Sequence, residues 1–216
     1  MLKTETKLLA GVLIFCVVLV LGAIFFLGKS EKTPDLAATK ALNIDYSKGQ
    51  KIGSDSAKVK LVEFSDLQCP ACKGVEPFVK QVLEKHKDNL QFIYRHFPLT
   101  QHIHSKKAAN FAEFAATQNK FWEVHDKLFD NQEEWSGLSD PTDYFANLGS
   151  QFGLDKEKIK EAVSKGLFEQ IINDDQTDGN ILGVDATPTF YLNGKKLRLQ
   201  SFAGLDKVVT EGLQQN

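Results

Sequence analysis

The chain predicts an α/β fold interrupted by a helical insertion, and three observations carry that expectation. A near-continuous apolar run, Val59-Lys60-Leu61-Val62-Glu63-Phe64, is followed by helical spacing and then by a second strand-like run, Leu90-Gln91-Phe92-Ile93-Tyr94-Arg95. From His102 to about Gly183 the pattern turns helical. After Gly183 a hairpin pattern and a final helix follow. The predicted order is βαβ, a helical insert over about 102–183, then ββα. With 216 residues, 42% apolar and 25% charged, there is material for one large domain or two small ones.

The first elements concern targeting. Residues 1–7 read as a short cytoplasmic tail. Leu8 to Leu27 is an apolar run of roughly the length that spans a bilayer, and an uncleaved transmembrane anchor is expected there. The alternative is a cleaved secretory signal, which has a shorter apolar core of about 7–15 residues and a small-x-small site that Gly28-Lys29-Ser30 imitates poorly. Lys3 and Lys7 precede the run while Lys29 and Lys32 follow it, so the positive-inside rule barely decides orientation. The short tail favours a single pass through the cell membrane with the domain extracytoplasmic. Cys16, preceded by Phe15, reads as a small apolar residue within the span and not as a lipid-attachment site. Residues 28–56 are polar, contain Thr33-Pro34, Gly49 and Gly53, and read as a linker to a domain over 57–216.

Within the domain, the first strand has the continuous apolar character of a central strand covered on both faces. The helix after it presents Val75, Phe78, Val79, Val82 and Leu83 at helical spacing. The second strand makes the unit β-α-β, with parallel strands expected. In the insert, Ala108, Ala115, Trp122 and Phe129 recur at heptad spacing beside Phe114, Phe121 and Leu128, giving one long helix or two abutting ones. Asp140-Pro141 predicts a helix start with Pro at the first position, and Gly153 its stop. Asp155 is placed as the cap of a third helix whose face is Ile159, Ala162, Val163, Leu167 and Ile171. These aromatics and aliphatics read as core packing. Thr189-Phe190-Tyr191-Leu192, Asn193-Gly194, then Lys196-Leu197-Arg198-Leu199 predicts a hairpin with a favoured turn. The last helix carries Leu205, Val208, Val209 and Leu213.

The chemistry is concentrated in Glu63-Phe64-Ser65-Asp66-Leu67-Gln68-Cys69-Pro70-Ala71-Cys72. A C-x-x-C pair at a strand-to-helix junction reads as a redox dithiol. Cys69 is placed at a helix N-terminus, where free N–H groups and the helix dipole stabilise a thiolate. Thiolates so placed have pKa values of about 3.5–7.5. Pro70 fits the first turn, where its missing N–H needs no partner. Cys72 follows one turn later, within reach of Cys69. Cys69 is therefore expected to be the accessible, acidic nucleophile and Cys72 the resolving thiol. Glu63 interrupts an apolar strand, either as a strand-end carboxylate reaching solvent or as a buried acid of raised pKa that exchanges a proton with Cys72. Thr187-Pro188 alone predicts a trans bond, since cis occurs in about 5–6% of X–Pro bonds.

The order βαβ–ββα with C-x-x-C at the first strand–helix junction resembles the thioredoxin fold. The insert ahead of Ala186-Thr187-Pro188-Thr189, with the E-F-S-D-x-Q-C-P-x-C pattern from Glu63 to Cys72, resembles DsbA-like disulfide oxidoreductases over roughly Lys58 to Leu213. The resemblance implies a buried acid at Glu63 and a cis bond before Pro188. It implies a substrate-binding surface made by Thr187, Pro188, Pro70 and Ala71 around a redox-active Cys69–Cys72 disulfide. It also implies oxidation of cysteine pairs in reduced exported proteins, with re-oxidation by a quinone-linked membrane protein of the DsbB or VKOR kind. An isomerase or reductase, or a thiol-dependent chaperone or binding module, are the alternatives. Pro70-Ala71 departs from the dipeptides best known in that family, which leaves oxidant strength open.

Other chemistries have less behind them. The formal net charge of -2 gives no basic surface for nucleic acid. With Cys69 and Cys72 set aside, the soluble part has no cysteine for a structural disulfide. Two cysteines cannot make a four-cysteine zinc site, and His102-Ile103-His104 lacks the usual H-x(3–5)-H spacing, so no metal is expected. No cofactor is expected either. His86, His96 and His125 read as surface or helix-packing residues.

Overall fold

The computed structural model describes residues 41–215, together with residues 14 and 17–19 of the apolar run. Ile14, Val17, Val18 and Leu19 are helical and exposed. The rest of the expected anchor over 8–27, the tail 1–7 and residues 28–40 lie outside the described residues. Among the described residues no helix is long and apolar enough to cross a membrane.

A five-stranded sheet organises the domain. Its strands are β1 (Gln50–Ile52), β2 (Val59–Ser65), β3 (Leu90–His96), β4 (Thr189–Leu192) and β5 (Lys195–Lys196), in the spatial order β1-β3-β2-β4-β5. β2 runs parallel to β3 and antiparallel to β4, so the expected βαβ and ββα units meet at one central strand. Helix α1 (Pro70–His86) is the crossover between β2 and β3. The insert holds α2 (Ser105–Ala116), α3 (Phe121–Asp130), α4 (Gln132–Ser136), α5 (Thr142–Ser150), α6 (Lys156–Lys165) and α7 (Glu169–Leu182). Helix α8 (Leu205–Gln214) comes last.

Strand alternation sorts the core. Val59 and Leu61 of β2, with Phe92 and Tyr94 of β3, pack with Cys72, Val75, Val79 and Val82 of α1 and with Val208 and Val209 of α8. The opposite face, with Val62, Phe64, Ile93 and Tyr191, packs with Ile44, Phe97 and Val184. Glu63 and Ser65 have the parity of Leu61, which puts them on the α1 face. That parity decides the chemistry below.

Several elements depart from expectation. The linker reading of 28–56 gives way within its last part: Gln50–Ile52 pairs antiparallel with β3, Ile44 is core, and the Leu42 N–H donates to the Gly194 carbonyl. Gly49 and Gly53 make that edge possible, with φ of +82° and +95°. A Cβ there would sit 2.5 Å from the Tyr94 oxygen and 2.3 Å from the Leu90 oxygen, respectively. The heptad stretch resolves into two helices, α2 and α3, separated at Thr117–Lys120 where Asn119 has φ 57°. Pro141 stands just before α5 instead of inside it, and Asp140 accepts from the Thr142 N–H. Asp155 caps α6 through the Lys158 N–H, as expected. That helix ends at Gly166 (φ 62°), so Leu167 and Ile171 fall off its face and are exposed. The hairpin turns at Asn193-Gly194 with both φ positive, but β5 holds only two residues before the chain leaves the ladder.

Candidate active site

The turn between β2 and α1 is built around Asp66. Its carbonyl accepts from the Cys69 N–H at 2.9 Å, and its Oδ1 accepts from the Gln68 N–H at 2.8 Å. Gln132 of α4 donates to the carbonyls of Leu67 and Cys69 at 2.8 and 3.1 Å, fastening the turn from the insert side. Cys69 is extended at the N-cap, Pro70 opens the helix, and Cys72 lies one turn on.

The two thiols have opposite surroundings. The Cys69 thiol is pulled from an ordinary value near 9 down to about 5. Donation from the Cys72 thiol is the largest cause; burial opposes it, and Thr187 and the N–H groups of Cys72 and Ala71 add to it. Cys72 is fully buried and its thiol is pushed up, first by burial, then by its hydrogen bond to Cys69 and the nearby Glu63 carboxyl. The Asp66 N–H reaches the Cys72 sulfur at 3.4 Å.

Cys69 is less open than expected. The residue is 6% exposed and meets solvent through a cavity of about 600 Å³ whose lining includes Leu99, His102, Gln176, Asp185 and Thr187. The Thr187 carbonyl stands 3.5 Å from the Cys69 sulfur, and the Thr187–Pro188 bond is cis, as the family resemblance implied and composition alone did not. Pro70 and Ala71 are exposed on the first turn of α1.

Glu63 is fully buried, and neither carboxyl oxygen has a hydrogen-bond partner. Burial first, and the nearby Glu76 carboxyl second, push it well above the usual carboxylate range, while the Ser65 hydroxyl pulls the other way. The strand-end reading is excluded. Tyr94, its partner in the β2–β3 register, has a buried hydroxyl without a partner, raised chiefly by burial. The structure thus gathers Cys69, Cys72 and Glu63 at the N-terminal end of α1 and brings the Thr187 carbonyl, with Pro188 next in the chain, to the Cys69 sulfur.

Side chains beyond the motif also converge here. Asp66 Oδ2 accepts from the Leu99 N–H and from His102 Nδ1, each at 2.8 Å, and Oδ1 accepts from the Ser105 hydroxyl. His104 turns away and bonds the Leu138 carbonyl, so the His102-Ile103-His104 pair does not act as a unit. His96, expected at a surface or in helix packing, is a buried strand residue bonded to Glu113. His125 is buried on α3 with its Nε2 3.9 Å from Glu76 and Nδ1 3.1 Å from Asp126. These three side chains are near enough to one another to hold a cation. The ring's two nitrogens face different carboxylates, however, and Lys80 is already paired with Asp126 at 2.9 Å. The sequence carried little signal for His102 or Gln132, which lie 30 and 60 residues or more from the motif they support.

The sequence model of a family described as Thioredoxin matches residues 46–211. A Na(+)/H(+) antiporter NhaA 1 from Mycolicibacterium gilvum is 34% identical over 180 residues, 82% of this chain and 28% of that protein. A Na(+)/H(+) antiporter NhaA 3 from Salinispora tropica is 32% identical over 79% of this chain and 25% of its own length. The chain thus spans about a quarter of these curated relatives. Among solved structures, oxidised BdbD from Bacillus subtilis superposes with a TM-score of 0.71 at 24% identity, covering 81% of this chain and 97% of that one. The thiol-disulfide exchange protein α-DsbA2 from Wolbachia pipientis gives 0.62 at 23%, covering 77% and 88%. At these identities the likeness to the solved structures is one of fold.

Proposed function

This chain belongs to the thioredoxin family and has the fold of DsbA-like thiol–disulfide oxidoreductases, and we propose that it oxidises cysteine pairs in exported proteins. The observation that carries the reading is the contrast between the thiols: an acidic Cys69 opening on a cavity and a buried Cys72 of raised pKa beside a buried carboxyl of raised pKa. A stabilised thiolate favours the reduced dithiol and makes the disulfide a better oxidant. A substrate thiolate attacks Cys69 of the disulfide, Cys72 leaves and takes a proton from Glu63, and a second substrate thiolate resolves the mixed disulfide. Two substrate thiols become a disulfide and the enzyme becomes a dithiol.

Thr187 is the docking point for an extended substrate chain, since its carbonyl lies against the nucleophile and backbone pairing there is sequence-tolerant. Pro188, Pro70 and Ala71 frame that position. A quinone-linked membrane protein of the DsbB or VKOR kind re-oxidises the dithiol, and the apolar run at 8–27 holds the domain at the outer face of the membrane. The test is the equilibrium reduction potential against glutathione, together with oxidation of a reduced model protein by the pre-oxidised chain. An oxidising potential with stoichiometric substrate oxidation is expected. A potential in the range of reducing dithiols, about -270 mV, would sink the oxidase reading.

A further inference from the structure

His102 and Asp185 are the titratable side chains at the cavity that the dithiol chemistry leaves unused, and Asp185 is paired with Lys196. Its Nδ1 edge is fixed by Asp66, whose carboxyl group is fully buried and already accepts from the backbone at Gln68 and Leu99. Asp66 in turn holds the turn into α1 and the Cys72 sulfur. The ring therefore cannot swing without disturbing the nucleophile's own support. With Nδ1 donating to Asp66, the lone pair of a neutral ring resides on Nε2. The residue is half-buried and lines the same cavity as Cys69 and Thr187, with its Nδ1 edge taken up by Asp66. A tie between the β3–α2 loop and the motif accounts for the Nδ1 bond, but not for an imidazole presented to the cavity of the nucleophile.

The incoming substrate supplies the need. Thiolate is the attacking species, and a free cysteine with a pKa of about 8.5 is only a few per cent ionised at pH 7. Resting on the oxidase reading above, we infer that His102 is the general base for the substrate thiol. The thiol proton passes to Nε2, and the thiolate sulfur bonds to Cys69 Sγ. The Cys69–Cys72 bond breaks, and its electron pair leaves on Cys72, which is protonated by Glu63. The imidazolium returns its proton to solvent through the open cavity, so no further reactant is required. The titratable groups around the ring are Asp66, bonded at Nδ1, and Cys69 and Asp185, which share the cavity lining with it; Gln101, Gln176 and Asn180 are neutral.

The size of the effect is bounded. Full ionisation of a thiol that is about 3% ionised gains at most roughly 30-fold. The test follows oxidation of a two-cysteine peptide by the pre-oxidised protein from pH 6 to 9, beside an aromatic thiol that is fully ionised at pH 7. In His102→Gln the peptide-to-aromatic rate ratio at pH 7 should fall by roughly 10- to 30-fold, and the gap should close above pH ~8.5, where the peptide ionises unaided. In His102→Ala, added imidazole should restore the peptide rate. Equal losses for both thiols in both variants, or no change in either, would overturn the base role and leave His102 as a loop tie. A wild-type protein that oxidises neither thiol would instead refute the oxidase reading.

Discussion

Replacing Glu63 by Gln should stabilise the reduced protein, and by an amount that grows with pH. In the unfolded chain the carboxyl ionises near its ordinary 4.5; in the folded chain burial and the Glu76 carboxyl hold the proton on well above that. Below pH 4 both states are protonated and the group contributes no pH dependence. Above it the unfolded state releases a proton that the folded state keeps, so stability falls with pH by about 1.4 kcal/mol per unit until the folded carboxyl ionises. Cys69 works against this: its folded value of about 5 lies below an unfolded thiol, so from pH 5 to ~8.5 its contribution to stability rises with pH at about the same slope. In the wild type the two slopes have opposite signs. Glu63→Gln removes the first and leaves the second. Urea denaturation of both proteins under reducing conditions at pH 4, 5, 6 and 7 measures the difference directly. The gap should be small at pH 4 and widen by about 1 kcal/mol between pH 5 and 6. A gap that stays flat across this range would mean that Glu63 is ionised in the fold, and its role as proton donor to Cys72 would fall with it.

Alkylation of Cys69 in the reduced protein should titrate with a midpoint near pH 5, with Cys72 unlabelled until the protein unfolds; a midpoint near 8.5 or faster labelling of Cys72 would reverse their roles. Cys72→Ser should accumulate mixed disulfides with reduced substrates and Cys69→Ser none, as read on non-reducing gels. Arg95→Met should cost about 3–5 kcal/mol in denaturant, because buried Asp175 loses the guanidinium that pairs it. The full chain should stay in the membrane fraction after a carbonate wash; a soluble form beginning near Glu31 would make the apolar run a cleaved signal.

The sequence disclosed the elements whose signal is local. β2, α1 and β3 each fill their period with apolar residues, and the turn at Asn193-Gly194 needs only two residues to declare itself. β1 was illegible because Gln50-Lys51-Ile52 is short, half-buried and mostly polar; it becomes a strand only because β3 offers an edge. The break between α6 and α7 was hidden by apolar spacing that runs through Gly166, where a left-handed residue resets the phase. Pro77 sits inside α1 without ending it, so a breaker residue is no sure boundary when the flanking turns are packed. At the site, Cys69, Cys72 and Glu63 were legible from one ten-residue stretch. Asp66 stood within that stretch, but its significance depends on Leu99, His102 and Ser105, which only the fold brings to it.

Glu63 and Asp66, three residues apart, show how one chain segment obtains two different acids. Strand parity sends Glu63 inward beneath α1, among Cys72, Ser65 and Tyr94, where no donor reaches its oxygens. A carboxyl in that position is cheaper neutral than charged, so it stores a proton next to the thiol that needs one. Asp66 lies past the end of the strand, and the turn aims its oxygens at two backbone N–H groups, a hydroxyl and an imidazole. It serves as an acceptor that fixes geometry around Cys69. Exchanging the two environments would undo both tasks: a donor-rich Glu63 would hold its proton less well, and a partnerless Asp66 would release the loop that carries His102. Pairs of titratable groups with such divergent surroundings are how a fold separates proton storage from positioning. Here the separation follows from where β2 stops, at Ser65.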